Sequence, residues 1–151
     1  MRTDALSNEE IVAHFRGDTD KLLKYLNWLE KKSGSCAYST YDQEGISEHS
    51  IEFPVYDSTL MNFVREARDT CYMDRNYAYV YTRNRIKSVK DEHRCIRNAT
   101  IRDMDKLAGI LSRYVLGGQT KARLWSAGIE HGIYLAILKK CDELLNFWSR
   151  E

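Results

Sequence analysis

Thr100-Ile101-Arg102-Asp103-Met104-Asp105-Lys106-Leu107-Ala108-Gly109-Ile110-Leu111-Ser112-Arg113-Tyr114-Val115-Leu116-Gly117-Gly118 is the stretch that decides the fold class of this chain. Ile101, Met104, Leu107, Ala108, Leu111, Tyr114 and Val115 recur at helical spacing, so they share one face of a helix. Thr100 with Asp103 reads as a capping box at its start, and Gly117-Gly118 ends it. A helix with so wide an apolar face must be covered by other elements.

Helical signals continue on both sides. Downstream, a shorter helix is expected over about 120–131, carrying Leu124, Trp125 and Ile129. A last one follows over 133–148 through Tyr134, Ile137, Leu138, Cys141, Leu144, Leu145 and Trp148. Trp125 and Trp148 are expected to bury in this pair, or else to anchor a dimer or partner. Upstream, Ser88 with Asp91 opens a helix with Val89 and Ile96 inward. Asp74 caps one carrying Tyr77, Val80 and Tyr81. Asp57 or Ser58 caps a stripe of Leu60, Phe63, Val64, Ala67 and Cys71. At the front, Ser7 with Glu10 is a capping box for a short helix through about Phe15. Gly17 and Asp18 then break and restart the chain, and Leu22, Leu23, Leu26 and Leu29 carry a second helix closed by Gly34.

One region reads differently. Residues 36–41 are aromatic and favour strand, 43–45 form a turn, and His49, Ile51 and Phe53 alternate with polar residues up to Pro54. This predicts a hairpin that must pack on the helices, since an isolated one is marginal in water. The expected architecture is mainly α: a compact multi-helix single domain over 1–151. It has N-terminal helices in 1–34, a small β-hairpin inserted after the second helix at 36–53, and a helical core over 57–150.

With 151 residues, 43% hydrophobic and 30% charged, the chain has the length and composition of one globular domain. It holds one proline and no low-complexity tract, which excludes extended disorder. No apolar run reaches the about 18 residues of a membrane span, and no signal-peptide core follows Met1, so no membrane contact and a cytoplasmic address are expected. Cys36, Cys71, Cys95 and Cys141 are widely spaced, without the pairing of a zinc site or disulfide framework, so no metal or other cofactor is expected.

The net charge of +1 hides an asymmetry. Residues 1–57 carry 6 Lys/Arg against 11 Asp/Glu, whereas 58–102 carry 10 against 5. The two regions can compensate one another within the fold, pair copies of the chain as a homo-oligomer, or face different partners. Between Tyr72 and Arg102 the cations interleave with tyrosines. Lys90, Arg94 and Arg97 fall on one face of their helix, and Arg83, Arg85 and Lys87 precede it. Such a strip suits an acidic protein partner. It equally suits nucleic acid, with Tyr72, Tyr77 or Tyr79 stacking on bases. The plainer alternative is a solvated face opposite Ile96, with Tyr77 and Tyr81 in the core.

The remaining motifs are weak. Gly117-Gly118-Gln119-Thr120-Lys121 lacks the order and preceding strand of a phosphate loop and reads as a helix end followed by a helix start. Lys121 and Arg123 near that start are candidates for holding an anion. Glu130 and His131 point to different faces, as do His93 and Cys95; His49 alternates inward as a partly buried hairpin residue, and His14 has no partner. Cys71 and Cys141 read as small core residues. No catalytic constellation is recognisable, so no catalytic residue is assigned. A non-catalytic binding or adaptor module is the favoured reading, with nucleic-acid binding second and an enzyme of unrecognised type third.

Phe53-Pro54-Val55-Tyr56-Asp57-Ser58 leading into Phe63-Val64, Tyr77 to Tyr81, Asp103 to Leu107 with Leu111-Ser112-Arg113-Tyr114-Val115, and Leu124-Trp125-Ser126-Ala127-Gly128-Ile129-Glu130-His131-Gly132-Ile133 followed by Leu138-Lys139-Lys140 carry a resemblance. In these blocks, over about 50–148, the chain resembles the uncharacterised bacterial family numbered 6508 among the domains of unknown function. The resemblance implies a helical fold and a bacterial cytosolic protein, and no chemistry.

Overall fold

The structure, a computed structural model, describes residues 6–32, 38–39, 55–56, 58–121 and 123–149. It is mainly helical. The helices are α1 (Asn8–Leu23), α2 (Leu26–Lys32), α3 (Ser58–Arg68), α4 (Tyr77–Arg83), α5 (Val89–Asn98), α6 (Met104–Gly117), α7 (Arg123–Glu130) and α8 (Ile133–Ser149). A short 3-10 turn, Ile101–Asp103, leads into α6.

Helix α6 is the axis of the molecule. All the stripe residues named above are buried, and so are Gly109, Ile110 and Ser112 on the other faces. This follows from its position, since α3, α4, α5, α7 and α8 all pack against it. Helix α8 lies beside it and also meets α1, α2 and α5, with Ile137, Leu138, Cys141 and Leu145 inward. Phe63, Tyr114 and Tyr134 meet where α3, α6 and α8 converge, Phe63 at 4.8 Å and Tyr114 at 6.1 Å from the Tyr134 ring.

Several boundaries differ from the sequence reading. Helix α1 does not break at Gly17 and Asp18 but runs through to Leu23. Ile11, Phe15, Thr19 and Leu22 make an unbroken buried row that outweighs the glycine's propensity cost. Asp18 leaves the helix face to accept the Cys71 amide at 2.8 Å, and Thr19 shares a 2.6 Å hydrogen bond with the Tyr72 hydroxyl. Asp74 accepts the amide of Asn76 at 2.8 Å instead of capping α4. The Thr100–Asp103 box forms in both directions. At Ser88 only the side-chain half forms, because the Asp91 carboxylate takes the Lys87 amide instead. Cys71 lies half-buried beyond the end of α3. Trp148 is not buried: it stands 40% exposed in the last turn of α8.

Of the hairpin expected over 36–53, the turn and the second strand lie outside the described residues, as do the Asp57 cap, Cys36 and His49. Within them, Tyr38–Ser39 (β1) pairs antiparallel with Val55–Tyr56 (β2), Tyr38 opposite Tyr56. Among the described residues no helix is long and apolar enough to cross a membrane.

Candidate binding surface

The basic strip is built by α4, the connection after it, and the outer face of α5. Arg83 sits in the last turn of α4, its guanidinium 6.0 Å from the Tyr79 ring centre one turn earlier. The chain then reverses. Arg85 takes a left-handed conformation with φ +56°, alone among the described non-glycine residues. This conformation costs an ordinary side chain about 1 kcal/mol or more, and glycine nothing. The reversal returns the Ile86 amide to the Tyr81 carbonyl at 2.9 Å and drops the Ile86 side chain into the core, leaving Arg85 and Lys87 outside. Ser88 then caps α5, which carries Lys90, Arg94 and Arg97 outward.

The inner face of α5 explains why these cations stand where they do. Glu92 is buried, its carboxylate accepting hydrogen bonds from Tyr81 of α4 at 2.5 Å and from Tyr114 of α6 at 2.7 Å. Arg113 of α6 adds a 3.3 Å contact. Its guanidinium lies 5.4 and 5.1 Å from the two tyrosine ring centres. Burial and the neighbouring carboxylate push both phenols well above their usual range, so they remain donors to Glu92. One carboxylate thus joins three helices, and it fixes the rotation of α5 about its own axis.

The charges outside are less satisfied. Among the described residues the strip holds one ion pair, Arg94–Asp91 at 2.7 Å. The Lys87 amide, and then the Arg94 charge, hold the Asp91 carboxyl below its usual range. Among the acids of the N-terminal region, Asp20 pairs with Arg16 at 2.7 Å and Asp18 lies 3.7 Å from Lys21. Among the described residues no ion pair joins this region to the strip.

The stacking candidates separate. Tyr72 is buried at 1% exposure with its hydroxyl on Thr19, so it cannot meet a base, a correction imposed by the packing of α1 on the turn after α3. Tyr77 is half-buried, and Tyr79 is 55% exposed. Lys121 and Arg123 are exposed at the entry to α7, away from the strip along the chain, and Gly117 to Lys121 form the turn that ends α6. Cys141 is buried, and burial pushes its thiol up to about 12. Among the described residues no group of His, Cys, Asp and Glu is arranged to hold a metal ion.

Sequence reasoning passed over Glu92 and Arg113. Glu92 stands four residues before Ile96 on the inward side of α5, and a carboxylate at a core position was the available signal. It weighed His93 only against Cys95 and did not bring it together with Lys139 and Lys140. These come together only because α5 packs on α8, where the His93 ring donates from Nε2 to the His131 carbonyl at 2.6 Å.

Comparison with protein-family models, with curated proteins and with solved structures finds no match to this chain.

Proposed function

We propose that the chain is a non-catalytic binding module whose basic strip, Arg83, Arg85, Lys87, Lys90, Arg94 and Arg97, docks an acidic protein partner. The observation that carries this is the set of exposed cations on a rigidly oriented helix with a single ion pair among the described residues. A partner's carboxylates would supply the missing counter-charges and steer the encounter. Arg85 adds support: an arginine is kept in a conformation where glycine would be relaxed, so the position favours charge over backbone comfort. In this reading the protein works in a bacterial cytoplasm, as the resemblance to family 6508 implies.

A second reading, nucleic acid, is favoured by one observation, the exposed Tyr79 ring beside Arg83. It is weakened by the burial of Tyr72. The deciding experiment compares binding of a labelled glutamate-rich peptide with that of mixed-sequence single- and double-stranded DNA and RNA at two salt concentrations. The acidic-partner reading expects the peptide to bind and the Lys90→Glu/Arg94→Glu double variant to lose it while retaining its circular dichroism. Peptide binding unchanged in that variant overturns the reading. Duplex binding with log K falling at a slope of about −3.6 against log salt, as for about four neutralised phosphates, promotes the nucleic-acid reading instead.

A further inference from the structure

Helix α8 presents an outer row of Ala136, Lys140, Glu143 and Phe147, spaced by four, three and four residues and so aligned on one face. Two grooves meet along this row. The first, of about 290 Å³, lies between α5 and α8 and is edged by His93, Arg97, Lys139 and Lys140. The second, of about 370 Å³, lies between the C-terminal half of α8 and the turn at 99–102, with Phe147 and Trp148 on its rim. Glu143 lines both.

The two halves differ in chemistry. In the first, Lys140 is already engaged, its Nζ donating to the Arg97 carbonyl at 3.0 Å and lying 3.9 Å from Glu143. His93 is held by the His131 carbonyl. Arg97 and Lys139 remain exposed, with no ion pair among the described residues. The second half is edged by aromatic rings, and the one cation lining it among the described residues, Arg102, already donates to the Leu6 carbonyl and to the Asn8 side chain. Phe147 is 64% and Trp148 40% exposed, and their rings meet edge-on at 5.3 Å. An exposed aromatic pair at a groove mouth is the usual composition of an interface anchor.

We infer that these grooves form one docking channel for an extended peptide segment of the acidic partner, carboxylates on Arg97 and Lys139 and an apolar side chain against Phe147 and Trp148. The inference rests on the acidic-partner reading and extends it from the α5 strip to α8. Charge decides the class of occupant. A nucleic-acid backbone following both grooves would carry a phosphate past the Glu143 carboxylate, which is 70% exposed, and then over an apolar ledge. A peptide can place its acids at one end only. Geometry sets the spacing. Lys139 to Phe147 is about 12 Å along the helix axis at ~1.5 Å per residue. An extended chain covers that in about four residues at ~3.3 Å each. The recognised segment therefore has an acidic residue about four positions from an aromatic or leucine side chain.

The test is selection from a random-peptide display library on the full chain at low salt, followed by fluorescence anisotropy of the selected peptide and of single-stranded DNA. Enrichment of acidic residues about four positions from an apolar one supports the channel. So does weakening of the peptide by about tenfold in Phe147→Ala and by about fivefold in Lys139→Glu. Recovery of acidic peptides whose binding falls in Lys90→Glu/Arg94→Glu but not in Lys139→Glu or Phe147→Ala overturns the channel and leaves the strip reading standing. Loss in the α8 variants alone keeps the channel and overturns the strip. No acidic enrichment overturns both. DNA binding that exceeds peptide binding and falls in Lys139→Glu overturns the peptide occupant. All variants are surface changes, and unchanged thermal midpoints certify that each comparison reads binding.

Discussion

Helices α1 and α5 both mix acids with bases in the sequence, α1 with an acidic and α5 with a basic excess, and their charges have opposite fates in the fold. On α1 the charged groups are spent on the protein itself. Arg16 reaches Asp20 at 2.7 Å and the Asn146 amide oxygen at 2.9 Å, and Asp18 takes the Cys71 amide. On α5 the division is radial: Glu92 faces inward and holds three helices, while Lys90, Arg94 and Arg97 face water with Asp91 as their one described carboxylate. A regional charge tally cannot tell these cases apart, because pairing depends on which turn and which face a charge occupies. The difference separates charge that builds the molecule from charge left over for something else.

The comparison is sharpened most by removing Glu92. Glu92→Ala should cost about 2–3 kcal/mol of unfolding free energy in urea titrations, since two phenol hydroxyls and Arg113 lose their acceptor. The loss stays at that level because the Arg113 side chain is 37% exposed and its charge can turn toward water. A cost below 1 kcal/mol would mean that apolar packing alone orients α5. On α1, Asp18→Ala should cost about 1 kcal/mol through the unpaired Cys71 amide, read in the same titration.

Acid should act on both helices in the same direction. The folded carboxyls of Asp18 and Asp91 lie below the ordinary aspartate value of 3.8. At Asp18 burial opposes ionisation, but the Cys71 amide and the Lys21 charge outweigh it. The unfolded chain therefore binds more protons, and the stability these groups contribute is complete above about 4 and lost as pH falls through their lowered values. Thermal midpoints measured across this window should fall, and Asp18→Asn should shallow the fall. A slope unchanged in Asp18→Asn would remove that residue from the account.

The smallest effects belong to the outer face. Lys90→Glu with Arg94→Glu should shift stability by no more than about 0.5 kcal/mol. Arg85→Gly should leave it unchanged or raise it by up to about 1 kcal/mol, the relief of the left-handed residue partly offset by a freer unfolded chain. Both should weaken the acidic peptide. A clear loss of stability at Arg85→Gly would show that this arginine serves the fold.

Much of the helical scaffold was legible because burial imposes period. The α6 stripe and the Thr100 and Ser7 caps are local signals, each read within one or two turns. What was not legible depended on distant neighbours. Gly17 looks like a break until Phe15 and Thr19 are seen against Tyr72. The block Leu124 to Ile133 has a plain physical reading once folded. The Tyr134 ring lies where a side-chain carbon on Gly128 would sit, 2.3 Å away, and Gly132 makes the reversal into α8 with φ +69°. The strip's exposure could be anticipated from spacing on α5. Its continuation onto Lys139 could not, because the crossing of α5 and α8 brings together residues more than forty positions apart.

The three tryptophans occupy three different surroundings. Trp28 is half-buried beside the core, Trp125 donates from its indole nitrogen to the Val115 carbonyl at 2.9 Å, and Trp148 stands at the groove rim. Their emission should therefore differ in colour and in access to iodide, with Trp148 the reddest and the most readily quenched. The chain carries its own optical probe at the mouth of the proposed channel, and an occupant would announce itself by shielding that one lamp.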